Sequence, residues 1–134
     1  MVYFPDNYFE KEIRNGFEVS SMMKRAWAGQ IEVLSVIREI CERHNILWFA
    51  DYGTLLGAVR HKGFIPWDDD MDIGMTRDNL NNFIKYAKDE LPDEYKLLCM
   101  DLEPQYDSLI VRVVNSTSVS MDKERLYKFH GCQP

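Results

Sequence analysis

The sequence predicts an α+β domain, a mixed β-sheet flanked by helices with a long helix near the N-terminus. Three observations carry that expectation. Between Glu18 and His44 apolar residues recur every three or four positions, the period of a helix with one buried face. The runs "ILWFADY" and "SLIVRVV" are short, aromatic or β-branched, and read as strands. The total of 134 residues suits one domain, taken as residues 1–134.

The first helix places Val19, Met22, Met23, Ala26, Trp27, Ile31, Leu34, Ile37, Ile40, Cys41 and His44 on one stripe. Ser20 or Ser21 would cap its start and Asn45 would stop it. Ile46 to Tyr52 reads as a buried strand that ends at Gly53, and "TLLGAVRH" as a short helix directly after it. Pro66 keeps "KGFIPWDDD" out of helix. "DMDIGM", Asp70 to Met75, is a second strand. Thr76 to Glu90 is a helix with Leu80, Phe83, Ile84, Ala87 and Leu91 inward. "LPDEY" turns the chain, "YKLLCM" forms a strand, and "SLIVRVVNSTSVSM" supplies one or two more.

Composition excludes several classes. An apolar fraction of 46%, with 13% aromatic and 28% charged residues, supports a packed core. A net charge of −6 and a pI near 5.0 argue against a nucleic-acid partner, which calls for a basic face. No run reaches the roughly 18 apolar residues of a transmembrane segment, and "MVYFPDNYFEKE" lacks the pattern of a signal peptide. Cys41, Cys99 and Cys132 form no CxxC pair and an odd set, which points to a reducing, cytoplasmic setting.

The chemistry concentrates in "DYGTLLGAVRHKGFIPWDDDMDIGM", Asp51 to Met75. Four carboxylates, Asp68, Asp69, Asp70 and Asp72, crowd one end of it. On a strand, Asp70 and Asp72 share a face while Met71 and Ile73 point to the core. Carboxylates about 6–7 Å apart along a strand repel unless a cation lies between them. Mg2+ or Mn2+ suits such a pair, because it takes a few carboxylates and completes its shell with water and phosphate oxygens. A calcium loop fails: counted from Asp68, position six is Ile73 and position twelve is Asn79. Gly53 and Thr54, between strand and helix, form a candidate phosphate turn, since glycine admits close approach and a helix N-terminus favours anions. Arg60, His61 and Lys62 would offset phosphate charge, with His61 a less favoured catalytic base. Asp68 and Asp69 take supporting roles and Asp51 lies near the turn.

A strand, Gly-Thr, a short helix and then Asp-x-Asp resembles the nucleotidyltransferase fold. The longer string "GTLLGAVRHKGFIPWDDDMDIGM" resembles the signature of the LicD family, phosphocholine transferases related to the fukutin-type ribitol-phosphate transferases. The likeness continues through "VLSVIREICERHNILWFADY" and "TRDNLNNFIKYAKDEL". It implies transfer of phosphocholine, or a similar phospho-alcohol, from a CDP-choline-like nucleotide donor. The acceptor would be a sugar hydroxyl of a glycan or lipid-linked glycan, such as lipopolysaccharide or teichoic acid. A lipid-linked acceptor leaves open a peripheral position at the inner face of the membrane. Asp70 and Asp72 match the family's metal pair, and Gly53 and Thr54 its phosphate turn. The family's third carboxylate lies in an "IDIFP"-like strand, where this chain ends in "FHGCQP". A C-terminal truncation is therefore expected, with that carboxylate beyond Pro134; Asp101, Asp107 and Asp122 stand in no matching motif. Two alternatives share the same residues: nucleotidyl transfer to another acceptor, and a non-catalytic nucleotide- or metal-binding module.

Overall fold

The computed structural model describes residues 2–116. The chain divides into two compact units, Met1–Phe83 and Ile84–Pro134.

The first unit opens with a 3-10 turn, Asp6–Phe9, and a hairpin of β1 (Glu12–Arg14) and β2 (Phe17–Val19). Asn15 and Gly16 make its two-residue turn with φ of 51° and 78°, the left-handed pair that matches the twist of a hairpin. Helix α1 (Ser21–Arg43) follows. The Ser20 hydroxyl accepts a bond from the Met23 N–H at 3.1 Å, so the cap falls at Ser20. Asn45, with φ 54°, turns the chain just past the helix end. Trp27, Ala28, Ile37, Ile40 and Cys41 of α1 are buried, whereas Met22 is 81% exposed. Lys24 is buried too, and its ammonium meets the Glu12 carboxylate at 3.2 Å.

Strand β3 (Phe49–Ala50), helix α2 (Tyr52–Arg60) and strand β4 (Ile73–Gly74) complete this unit, with the start of α3 (Arg77–Glu90). β3 and β4 pair antiparallel, Phe49 opposite Gly74 and Ala50 opposite Ile73. In the second unit β5 (Tyr95–Leu98) pairs antiparallel with β6 (Arg112–Asn115). Leu97, Leu98, Cys99, Tyr106 and Val114 are buried there. The Tyr106 hydroxyl donates to the Ile110 carbonyl at 2.7 Å and accepts from Arg112, which ties the loop before β6 to the strand.

The α+β composition agrees with the sequence, but three features differ. The described strands form three separate antiparallel pairs in place of one mixed sheet. Glu18 and Val19 belong to β2 and not to the first helix, because the Asn15–Gly16 turn commits them to a hairpin. The runs read as strands over Ile46–Tyr52 and Asp70–Met75 shorten to two residues each. The cause lies at their ends. Asp51 caps α2 immediately after β3, and the Asp72 N–H bonds to the Thr54 hydroxyl at 2.8 Å, where a strand would need a ladder partner. The second half of "SLIVRVVNSTSVSM", and Asp122, fall outside the described residues.

Candidate functional site

Helix α2 is the platform of the site. The Asp51 carboxylate accepts from the Tyr52 N–H at 2.9 Å and places negative charge at the positive end of the helix. Tyr52 enters with φ 41°, a left-handed conformation that costs a tyrosine about 1–3 kcal/mol. The Asp72 backbone is held on both sides. Its N–H goes to the Thr54 hydroxyl at 2.8 Å, and its carbonyl accepts from the Asp51 N–H at 3.1 Å. Thr54 therefore pins the acidic segment to the helix start, and its hydroxyl keeps a proton to donate.

Gly53 faces a carboxylate. A methyl group built there would collide with an Asp68 oxygen and lie 3.5 Å from Asp68 Cγ. Only glycine lets Asp68 lie against the first turn of α2. Asp68, Asp69 and Asp70 each bring one carboxylate oxygen into a group that lies within 4.8 Å of one another. Asp72, expected to pair with Asp70, is not a member of that group, and both residues precede the β3–β4 ladder. The shared strand face that motivated the pair is therefore not formed. Burial and the neighbouring Asp70 charge, with a hydrogen bond to Asp70, raise the pKa of the Asp68 carboxyl from its ordinary value. Hard oxygen donors crowded this closely fit Mg2+ or Mn2+ well, since a cation between them relieves their repulsion.

The acidic segment is fastened by α1. The Trp27 indole N–H donates to the Asp68 carbonyl at 2.8 Å, and the Gln30 amide donates to the Asp69 carbonyl at 2.5 Å. Trp27 stacks on Phe64, with ring centroids 4.8 Å apart and planes 3° from parallel.

The basic loop follows α2. Arg60 Nε–H donates to His61 Nε2 at 2.8 Å, and the Asn15 side-chain amide nitrogen lies 2.8 Å from His61 Nδ1. Nε2 of His61 is engaged by Arg60, which suits orientation of the guanidinium better than proton abstraction. Lys62 donates to the Val59 carbonyl at 3.1 Å and satisfies the end of α2. His61 and Phe17 each meet the Trp67 ring edge-on, at 5.8 Å and 6.0 Å.

Of the residues singled out in the sequence, Gly53, Thr54, Asp68, Asp70 and Asp72 are linked around the start of α2, and Arg60, His61 and Lys62 around its end. Asn15, Phe17, Trp27 and Gln30 were not among them. The Asn15–Gly16 pair carries a hairpin signal, but nothing local marks the other three as neighbours of the site.

The family described as LicD/FKTN/FKRP, nucleotidyltransferase domain, matches residues 45–130. The chain is 37% identical over 84 residues to the lipopolysaccharide cholinephosphotransferase LicD of Haemophilus influenzae, covering 62% of this chain and 32% of that protein. It is 42% identical over 52 residues to an uncharacterised protein of Rickettsia typhi, 39% of this chain and 17% of the other. It is 37% identical over 43 residues to the human ribitol 5-phosphate transferase FKRP, 32% of this chain and 9% of that protein. The chain thus spans about a third, or less, of the length of these relatives. No solved structure matches.

Proposed function

The chain belongs to the LicD/FKTN/FKRP nucleotidyltransferase-domain family, and from that premise we propose that it serves a metal-dependent phosphotransferase. The reaction moves phosphocholine or a similar phospho-alcohol from a CDP-linked donor to a glycan hydroxyl. The relatives named for transfer of phosphocholine and ribitol phosphate support the reaction class. The observation that carries it is the convergence of Asp68, Asp69 and Asp70, with Asp68 lying against Gly53 at the start of α2.

Asp70 belongs both to the convergent group and to the Asp-x-Asp pair, so it is the principal ligand of Mg2+ or Mn2+, flanked by Asp68 and Asp72. A cation held there would neutralise phosphate charge beside an end of α2 lined with carboxylates. Arg60, held by His61, and the exposed Lys62 provide positive charge for the phosphoryl oxygens and the leaving nucleotide. The Thr54 hydroxyl donates a hydrogen bond to a phosphate oxygen while it keeps Asp72 in place. The chain's contribution is chiefly positioning and charge, as phosphoryl transfer requires.

Calorimetric titration with CDP-choline and CDP-ribitol, with and without Mg2+, tests this reading. Binding should require the cation and disappear in Asp70→Ala. A preference for ATP over both donors would move the function to nucleotidyl transfer. Equal binding with and without Mg2+ would remove the metal from the mechanism. No described helix is long and apolar enough to cross a membrane.

A further inference from the structure

Three consecutive carboxylates on a segment with no helix or strand should repel one another and splay the chain. Their backbone is nevertheless fixed at two successive carbonyls. Trp27 donates to that of Asp68 at 2.8 Å and Gln30 to that of Asp69 at 2.5 Å. The two donors lie three residues apart on α1, which places them on one face of the helix, a turn from each other.

The Trp27 donor is itself immobilised. Its ring is 1% exposed, stacked on Phe64 at 4.8 Å, and carries the Arg14 guanidinium 5.5 Å from its centroid. Phe64 lies in the loop that leads to the acidic segment, and Arg14 comes from β1. The indole N–H thus projects from a packed wedge between hairpin and loop. Each donor grips a peptide carbonyl.

We infer that Trp27 and Gln30 are positioning residues, whose hydrogen bonds to the Asp68 and Asp69 carbonyls hold the neighbouring carboxylates in the convergent arrangement that takes a divalent cation. The inference rests on the metal reading above. It also extends the machinery upstream of residues 45–130, the stretch matched by the family, to an element that precedes it. Physically, the two bonds restrain the loop before metal arrives, so ligation does not have to order it. They also act against the repulsion that would otherwise turn the side chains outward.

Two substitutions delete the donors with little change of shape. Trp27→Phe keeps an aromatic ring for Phe64 and Arg14 and loses the N–H; Gln30→Met keeps length and loses the amide. Trp48→Phe, at the residue directly before β3, is the control. Mn2+ is titrated into each whole chain while free Mn2+ is followed by electron paramagnetic resonance, and thermal unfolding is recorded in parallel. Trp27→Phe and Gln30→Met should each weaken Mn2+ binding roughly tenfold, as loss of a supporting contact around metal ligands does. Trp48→Phe should leave the affinity unchanged. Should Trp27→Phe lose the fold, Gln30→Met carries the test alone. Wild-type affinity retained in folded donor-deletion variants overturns the positioning role and leaves the metal reading intact. A wild-type chain that takes up no Mn2+ overturns the metal reading, and this inference falls with it.

Discussion

Replacing Gly57 by alanine tests whether α2 is held to the following loop through backbone contact. A methyl group at Gly57 would lie 2.5 Å from the Gly63 carbonyl oxygen, 3.1 Å from Ile65 N and 3.4 Å from Ile65 Cγ1. Ordinary contact begins near 3.4 Å, so the carbonyl would have to retreat by roughly 0.9 Å. It belongs to backbone, and the chain around it is anchored. The Gly63 N–H reaches the Gly57 carbonyl at 3.4 Å, and the Asp68 N–H is bonded to the Ile65 carbonyl at 3.0 Å, with Ile65 and Pro66 both buried. Two effects oppose each other. Alanine is favoured over glycine in a helix interior by about 1 kcal/mol. Forcing a methyl into closed packing costs about 1–3 kcal/mol, and a clash with anchored backbone belongs at the upper end. The net expectation is a loss of roughly 1–2 kcal/mol. Gly29, inside α1, has nothing within 4 Å of its would-be Cβ, so the same substitution there should gain about 1 kcal/mol. Urea unfolding followed by far-ultraviolet circular dichroism reads both. Opposite signs are expected, and a Gly57→Ala protein as stable as Gly29→Ala would refute the contact.

The methyl of Gly53→Ala meets a side-chain carboxylate that can swing aside, so stability should move by less than about 0.5 kcal/mol. Calorimetry should nonetheless show weaker Mn2+ binding, because Asp68 is displaced from its seat; unchanged affinity would mean that Asp68 does not contribute there. Asp68→Asn should stabilise the metal-free chain at neutral pH, raising its urea midpoint. Burial, then Asp70, hold the folded carboxyl's pKa above its unfolded value, so stability is fully present in acid and lost as pH rises through the folded value. The advantage of the variant should therefore vanish at acid pH, and a pH-independent difference in urea midpoint would contradict the repulsion. Burial, assisted by Glu42, pushes the Cys41 thiol up to about 11, and the side chain is 1% exposed. Iodoacetamide should then label Cys41 only after unfolding, as read by peptide mass spectrometry, and fast labelling of the native chain would show an opening at α1.

The residue types of the site were legible in the sequence because the chemistry is local: carboxylates in succession, Gly-Thr before a helix, and a basic loop after it. Their convergence was not. Period-two alternation put Asp70 and Asp72 on one face, but alternation needs an extended, paired chain, and the strand begins only at Ile73. Before it, the backbone answers to Thr54, Gln30 and Trp27, partners 18, 39 and 41 residues away that no short window relates to it. The hairpin had a visible signal in Asn15–Gly16, overridden when Val19 was absorbed into the helical stripe; Val19 is fully buried, but from a strand.

Helix α2 shows most directly why periodicity misleads beside a site. Its apolar stripe, Tyr52, Leu55, Leu56 and Val59, follows helical spacing, yet these residues are 78%, 49%, 46% and 65% exposed. The packed face carries Gly53, Thr54 and Gly57, in contact with Asp68, Asp72 and the Gly63–Ile65 backbone. Small residues win that face because the loop must come within backbone distance of the helix to bring its carboxylates onto the first turn. A leucine there would bury more apolar area and hold the acidic segment several ångströms away. In α2 the demand for close approach, not apolar area, decides which side faces in.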